Sequence, residues 1–160
     1  DPYKYLESTV SSTKIREYLK NGSIDLANKL LSRTWFIDGQ VQAGKKIGRT
    51  LGYRTCNIKV KNYILPKPGI YAVKVSIGDK NKKYGGVSYL GTRPTFGGKE
   101  TFLETNIFGI NKNLYKKKIT VYFLKFLRGD QKFKNSNQLI KQMNKDVISA
   151  KKGLKTKLVT

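Results

Sequence analysis

Apolar residues recur at helical spacing over residues 9–31, where Ile15, Leu19, Leu26, Ala27, Leu30 and Leu31 follow a 3.6-residue repeat. Ser11, Ser12 and Thr13 are candidate caps and Asn21-Gly22 is a break, so the stretch predicts two short helices. From residue 35 to about 127 the pattern changes to short alternating or apolar runs at 35–41, 70–77, 86–90, 102–108 and 119–127, separated by turn residues. That spacing predicts an antiparallel barrel or sandwich. Residues 78–83, polar and charged throughout, read as an exposed hairpin tip. After Asn135 a stripe of Leu139, Ile140, Met143, Val147 and Ala150 predicts a helix lying on the barrel. Residues 151–160 hold four lysines and little to bury, which predicts a frayed, solvated tail.

Composition narrows the reading. With 160 residues, 38% of them hydrophobic, the chain suits one domain. Its net charge of +23, from 33 Lys and Arg against 10 Asp and Glu, favours polyanions or nucleotides as partners, and equally fits a lysine-rich surface of no special purpose. The single Cys56 excludes an internal disulfide, and the absence of histidine excludes a Cys/His zinc site. No apolar run approaches the roughly 18 residues of a membrane-spanning helix, and the N-terminus lacks the pattern of a signal peptide. A cytoplasmic protein without a membrane partner is expected. The opening Asp1-Pro2 suggests a piece of a longer protein.

Residues 44–57 gather three glycines, four cations, two threonines and an asparagine, an inventory for holding phosphate and metal. Without histidine, a general base near neutral pH must be a carboxylate, lysine, cysteine or tyrosine. Most carboxylates are unpromising by position. Glu100 reads as a loop residue, Asp130 as an ion-pair partner of nearby Arg128, and Asp146 as part of a lysine-rich helix surface. Glu104 stands out because it interrupts the apolar run 102–108, where a carboxylate is disposed to take a proton; an outward carboxylate paired with a lysine is the plainer alternative. Residues 91–98, with Gly91, Arg93 and Gly97, form a second glycine-bearing segment that reads either as a phosphate contact through Arg93 or as an ordinary loop between strands.

The order of these pieces carries more than any one of them. Gly39-x-Val41, Gly44, Gly48-Arg49-x-Leu51-Gly52-Tyr53-x-Thr55-x-Asn57, Leu65-Pro66-x-x-Gly69-Ile70-Tyr71-Ala72, Gly91-x-Arg93-Pro94-Thr95-Phe96, Leu103-Glu104, Leu114-Tyr115 and Phe126-Leu127-Arg128-x-Asp130-x-Lys132-Phe133 together resemble the riboflavin kinase family. The likeness is to the kinase module of bacterial bifunctional riboflavin kinase and FMN adenylyltransferase (FAD synthetase), over residues 11 to about 150. Val10-Ser11-Ser12-Thr13-Lys14-Ile15-Arg16 resembles the end of the adenylyltransferase module, whose His-x-Gly-His signature a chain without histidine cannot hold. FAD formation is therefore not expected of these residues.

The resemblance implies a six-stranded antiparallel Greek-key barrel with a C-terminal helix, mainly β, preceded by short helices. It divides the chain into residues 1–31 as the tail of the other module, 32–150 as the kinase barrel with its helix, and 151–160 as a basic tail. Implied substrates are riboflavin and ATP, with FMN and ADP as products and Mg²⁺ as cofactor. Thr55 and Asn57 match the Pro-Thr-Ala-Asn motif that holds the metal on ATP. Gly44, Lys46, Gly48, Arg49 and Gly52 match the loop that closes on the nucleotide, and Gly91, Thr92, Arg93, Pro94 and Thr95 a second wall of that site. Glu104 matches the catalytic base, and Arg128, Asp130 and Phe133 fall where the family binds flavin.

Several positions depart from the family pattern. Arg54 and Cys56 replace the proline and alanine of the metal motif, Asn106 stands where histidine is common, Gly109 where aspartate is, and Tyr89 where asparagine is usual. Two other readings remain open at this level: a basic barrel stacking single-stranded nucleic acid on residues such as Tyr63, Tyr84 and Tyr89, and a degenerate flavin-binding module. The expectation is a monomeric kinase without a nucleic-acid partner.

Overall fold

A computed structural model describes residues 2–43, 53–61, 64–78 and 81–154, with residues 2–11 described by backbone alone. Helix α1 spans Pro2–Asn21 and α2 Ile24–Leu31. The chain starts helical at Pro2, so Ser12 and Thr13 lie inside α1 rather than capping it; a proline is tolerated in a first turn, where its missing N–H loses nothing. The expected break holds: Gly22 adopts φ +87°, and Asn21 Oδ1 accepts from Ser23 N at 3.0 Å. Leu19, Ile24 and Ala27 are buried against the barrel. Buried Asn28 fastens α2, donating to the Phe123 carbonyl at 2.8 Å and accepting from Trp35 N at 2.7 Å.

Six strands follow: β1 Phe36–Gln42, β2 Cys56–Lys59, β3 Gly69–Ile77, β4 Lys83–Thr95, β5 Gly98–Ile107 and β6 Lys118–Arg128. They close into a barrel in the order β1-β2-β5-β4-β3-β6, with every pairing antiparallel. The β2–β3 and β5–β6 connections each pass over two strands, the Greek-key crossing. Alternation fills the interior with Ile37, Ile58, Tyr71, Val73, Val75, Leu90, Leu103, Val121 and Phe123. The Tyr71 hydroxyl escapes that apolar core by donating to the Lys67 carbonyl at 2.5 Å.

Two elements differ from expectation. The run Cys56-Asn57-Ile58-Lys59 is a strand, too short for periodicity to reveal. Residues 91–95 continue β4, and Glu100 lies in β5 rather than in a loop, because the hairpin turns only at Phe96-Gly97, where Gly97 takes φ +95°. Helix α3, Ser136–Gly153, begins at Asn135, whose side chain accepts from Gln138 N at 3.0 Å. It runs three residues past the expected boundary at 150, and residues 155–160 lie outside the described residues.

Candidate active site

Strand register lays five side chains in one transverse row: Asn57 on β2 faces Glu104 on β5, Glu104 faces Tyr89 on β4, Tyr89 faces Ile70 on β3, and Ile70 faces Arg128 on β6. They project from the outer face, since neighbours Ile58, Leu103 and Leu90 point inward. Four inter-strand steps make the row ~19 Å long. Above it lies a cavity of about 420 Å³, roofed by Leu139, Met143 and Val147 of α3 and closed by Asp130, Gln131 and Phe133. Thr92, Arg93 and Phe102 form the wall beyond Glu104.

A second cavity, about 300 Å³, opens on the other side of β2. Its polar lining includes Gln42, Arg54, Lys112, Asn113 and Tyr115. Thr55 and Asn57 line both cavities and form the partition between them. At that partition the Thr55 hydroxyl donates to Glu104 Oε1 at 2.7 Å. Asn106 Nδ2 donates to the Arg54 carbonyl at 2.8 Å and so restrains the backbone where this chain lacks a proline.

One polar bridge ties the far end of the roof to the barrel, and another ties the segment after β6 to β4. Arg128 meets Asp146 of α3 in a two-pronged contact, Nε to Oδ1 and Nη2 to Oδ2, both 2.8 Å, and Gln142 Nε2 donates to Oδ1 at 3.0 Å. Tyr89 donates to Asp130 Oδ2 at 2.7 Å, while Asp130 Oδ1 accepts from Gln131 N at 2.8 Å. Burial, reinforced by Asp130, pushes the Tyr89 phenol up to about 12. At the near end Tyr53 bonds Asn144 of α3. Cys56 is held up to about 12 by burial, less a lowering by its own backbone, so its thiol stays protonated.

The structure brings Thr55, Asn57, Glu104, Thr92, Arg93, Arg128, Asp130 and Phe133 to the larger cavity. Gly91 is buried beside Tyr89, and Pro94 and Thr95 are exposed near the hairpin turn, in neither lining. Gly44, Lys46, Gly48, Arg49 and Gly52, like Tyr63, lie outside the described residues. The expected Arg128–Asp130 pair is replaced by Arg128–Asp146, and the helix-surface reading of Asp146 fails, for it is 6% exposed. Sequence reading missed Asp146, Asn106 and Tyr89 as site residues; the available signals were an acid beside the apolar stripe of α3, at Met143 and Val147, and the departures from the family pattern at positions 89 and 106. Among the described residues no group of three or more Cys, Asp and Glu could cage a metal.

The residue profile of the riboflavin kinase (flavokinase) family matches residues 31–154. A bifunctional riboflavin kinase/FMN adenylyltransferase of Buchnera aphidicola (Schizaphis graminum) is 42% identical over 89% of this chain and 46% of its own. The Bacillus subtilis protein of the same description is 38% identical over 88% and 45%. The chain thus spans about half the length of these relatives. A Streptococcus pneumoniae structure described as a macrolide-efflux protein superposes with TM-score 0.81 at 34% identity, over 88% of this chain and 46% of that one. Riboflavin kinase from Trypanosoma brucei shares the fold alone, with TM-score 0.54 and 18% identity over 78% and 82%.

Proposed function

The chain belongs to the riboflavin kinase family, and on that premise we propose that it transfers the γ-phosphoryl group of ATP to the riboflavin 5′-hydroxyl, giving FMN and ADP. The observation that carries the reading is the meeting of two cavities at Thr55 and Asn57, with Glu104 hydrogen-bonded to that partition. Riboflavin occupies the larger, apolar cavity along the row, and the nucleotide phosphates occupy the polar one.

Thr55 and Asn57 offer two neutral oxygens beside a carboxylate, which fits an ion that keeps its waters and takes most remaining ligands from phosphate; they would hold Mg²⁺. Bound there, it would offset phosphate charge and align the transferring group. Glu104 takes the 5′-hydroxyl proton as that oxygen bonds to γ-phosphorus and the bond to the ADP oxygen breaks. Arg54 and Lys112 supply positive charge along the nucleotide cavity. The α3 roof shields the reacting end from water, and Arg128, Asp130 and Phe133 hold the flavin. Alignment supplies most of the acceleration in such transfers.

We assign the activity to a cytoplasmic monomer, with no FAD formation by these residues. No described helix is long and apolar enough to cross a membrane, and the efflux description of the pneumococcal chain is not carried over. Incubation with riboflavin and Mg-ATP, followed by chromatography for FMN, is the direct test. Riboflavin binding without FMN would instead identify a flavin-binding module.

A further inference from the structure

Resting on the kinase reading, we propose that Tyr89 and Asp130 form a reader of the polyhydroxyl chain, selecting a flavin by the hydroxyls between its ring and its reacting end. In the row, Tyr89 stands one strand from Glu104 and two from Arg128. A substrate whose terminal hydroxyl meets Glu104 and whose ring reaches the Arg128 end must pass its linking chain over Tyr89. The phenol is fixed for that duty. Its ring meets Phe102 edge-on at 5.5 Å between centroids. It lies along β4 over Gly91, where a Cβ would come within 2.8 to 2.9 Å of the ring and its hydroxyl, so residue 91 must be glycine for the phenol to take this path.

The hydrogen-bond inventory of the pair suits hydroxyl donors. Tyr89 spends its only proton on Asp130 Oδ2, leaving the phenol oxygen as an acceptor that the carboxylate strengthens by polarisation. Asp130 receives one bond on each oxygen, from Tyr89 and Gln131 N, and each oxygen retains a further acceptor site. The pair therefore presents acceptors without a free donor, in a cavity whose apolar lining includes Ile70, Val87 and Phe102. A ribityl chain satisfies the acceptors it covers, whereas a plain alkyl chain leaves those it covers unpaired, a condition under which enzymes reject a substrate analogue.

The test compares riboflavin with its analogue bearing a 5-hydroxypentyl chain, which keeps the ring and the reacting hydroxyl but lacks the three intervening hydroxyls. FMN-type product is measured for wild type, Tyr89→Phe and Asp130→Asn, and binding of both flavins is followed by fluorescence quenching. The expected result is a kcat/KM ratio of riboflavin over analogue that falls about tenfold in Tyr89→Phe, the worth of one such hydrogen bond, with the same fall in the binding ratio. A ratio unchanged in both variants overturns the proposal, as does an equal loss for the two flavins. Wild-type protein that phosphorylates neither flavin overturns the kinase reading itself, and that outcome is distinct from lost selectivity in an active enzyme.

Discussion

The Thr55 hydroxyl donates a 2.7 Å hydrogen bond to Oε1 of Glu104, joining the residue proposed to hold metal to the one proposed to take a proton. Glu104→Gln keeps an acceptor for Thr55 but cannot take the proton. It is expected to lower kcat by roughly 10² to 10⁴, the usual worth of a general base. Because the site is half-buried and the hydrogen bond survives, unfolding free energy should change by no more than about 0.5 kcal/mol. Near-normal FMN formation by the folded variant would remove Glu104 from the mechanism.

Chelation should separate the two cavities functionally. With EDTA in excess, FMN formation is expected to vanish while riboflavin still quenches on binding, because most of its cavity lining, apart from the shared Thr55–Asn57 partition and Tyr53, comes from β3 to β6, the segment after β6 and α3. Asn57→Ala should raise the Mg²⁺ concentration for half-maximal rate by roughly tenfold, comparable to losses seen when a metal site is perturbed. Flavin binding that requires metal would contradict this division.

Asp146 is 6% exposed and balances Arg128 through two 2.8 Å contacts. Asp146→Ala strands the guanidinium and should cost about 3 to 5 kcal/mol in urea unfolding. Replacing both partners, Arg128→Met with Asp146→Leu, should recover most of that stability, as buried pairs often allow. The double variant should nonetheless bind riboflavin more weakly than wild type, which distinguishes a flavin contact at Arg128 from a purely structural pair.

Cys56 is raised from 9.0 to about 12, mainly by burial. The folded chain holds this proton more tightly than the unfolded one, so its contribution is complete below about pH 9 and drains away as pH rises toward about 12. The stability difference between wild type and Cys56→Ala should therefore be constant near neutrality and shift against wild type above about pH 9. Ellman's reagent should leave the native thiol untouched at about pH 8 and label it promptly in denaturant.

Periodicity made the α3 stripe and the longer strands legible, because a buried face repeats at 3.6 or 2 residues. It could not reveal β2, whose four residues are too few to establish a repeat. Ser11, Ser12 and Thr13 misled because a cap is defined by the backbone around it, and here that backbone is already helical. Arg128 and Asp130 are close in sequence, yet their side chains take different partners. Arg128 answers an acid 18 residues away and Asp130 a tyrosine 41 residues away. Such pairings follow from barrel closure, which no local pattern encodes.

Because the row from Asn57 to Arg128 is set by strand register, its chemistry is sensitive to chain length as well as residue identity. A one-residue insertion in β5 upstream of Glu104 would turn that carboxylate inward at the position Thr105 now holds, opposite Cys56 and Ser88, and expose Leu103 in its place. A closed barrel has no free edge along which the slip could be relieved. Lineages of this protein should accordingly accept length changes in the connection between β3 and β4 or at Phe96-Gly97 and reject them within β2, β4 and β5, so that deletion scanning would trace the active site without any assay of a side chain.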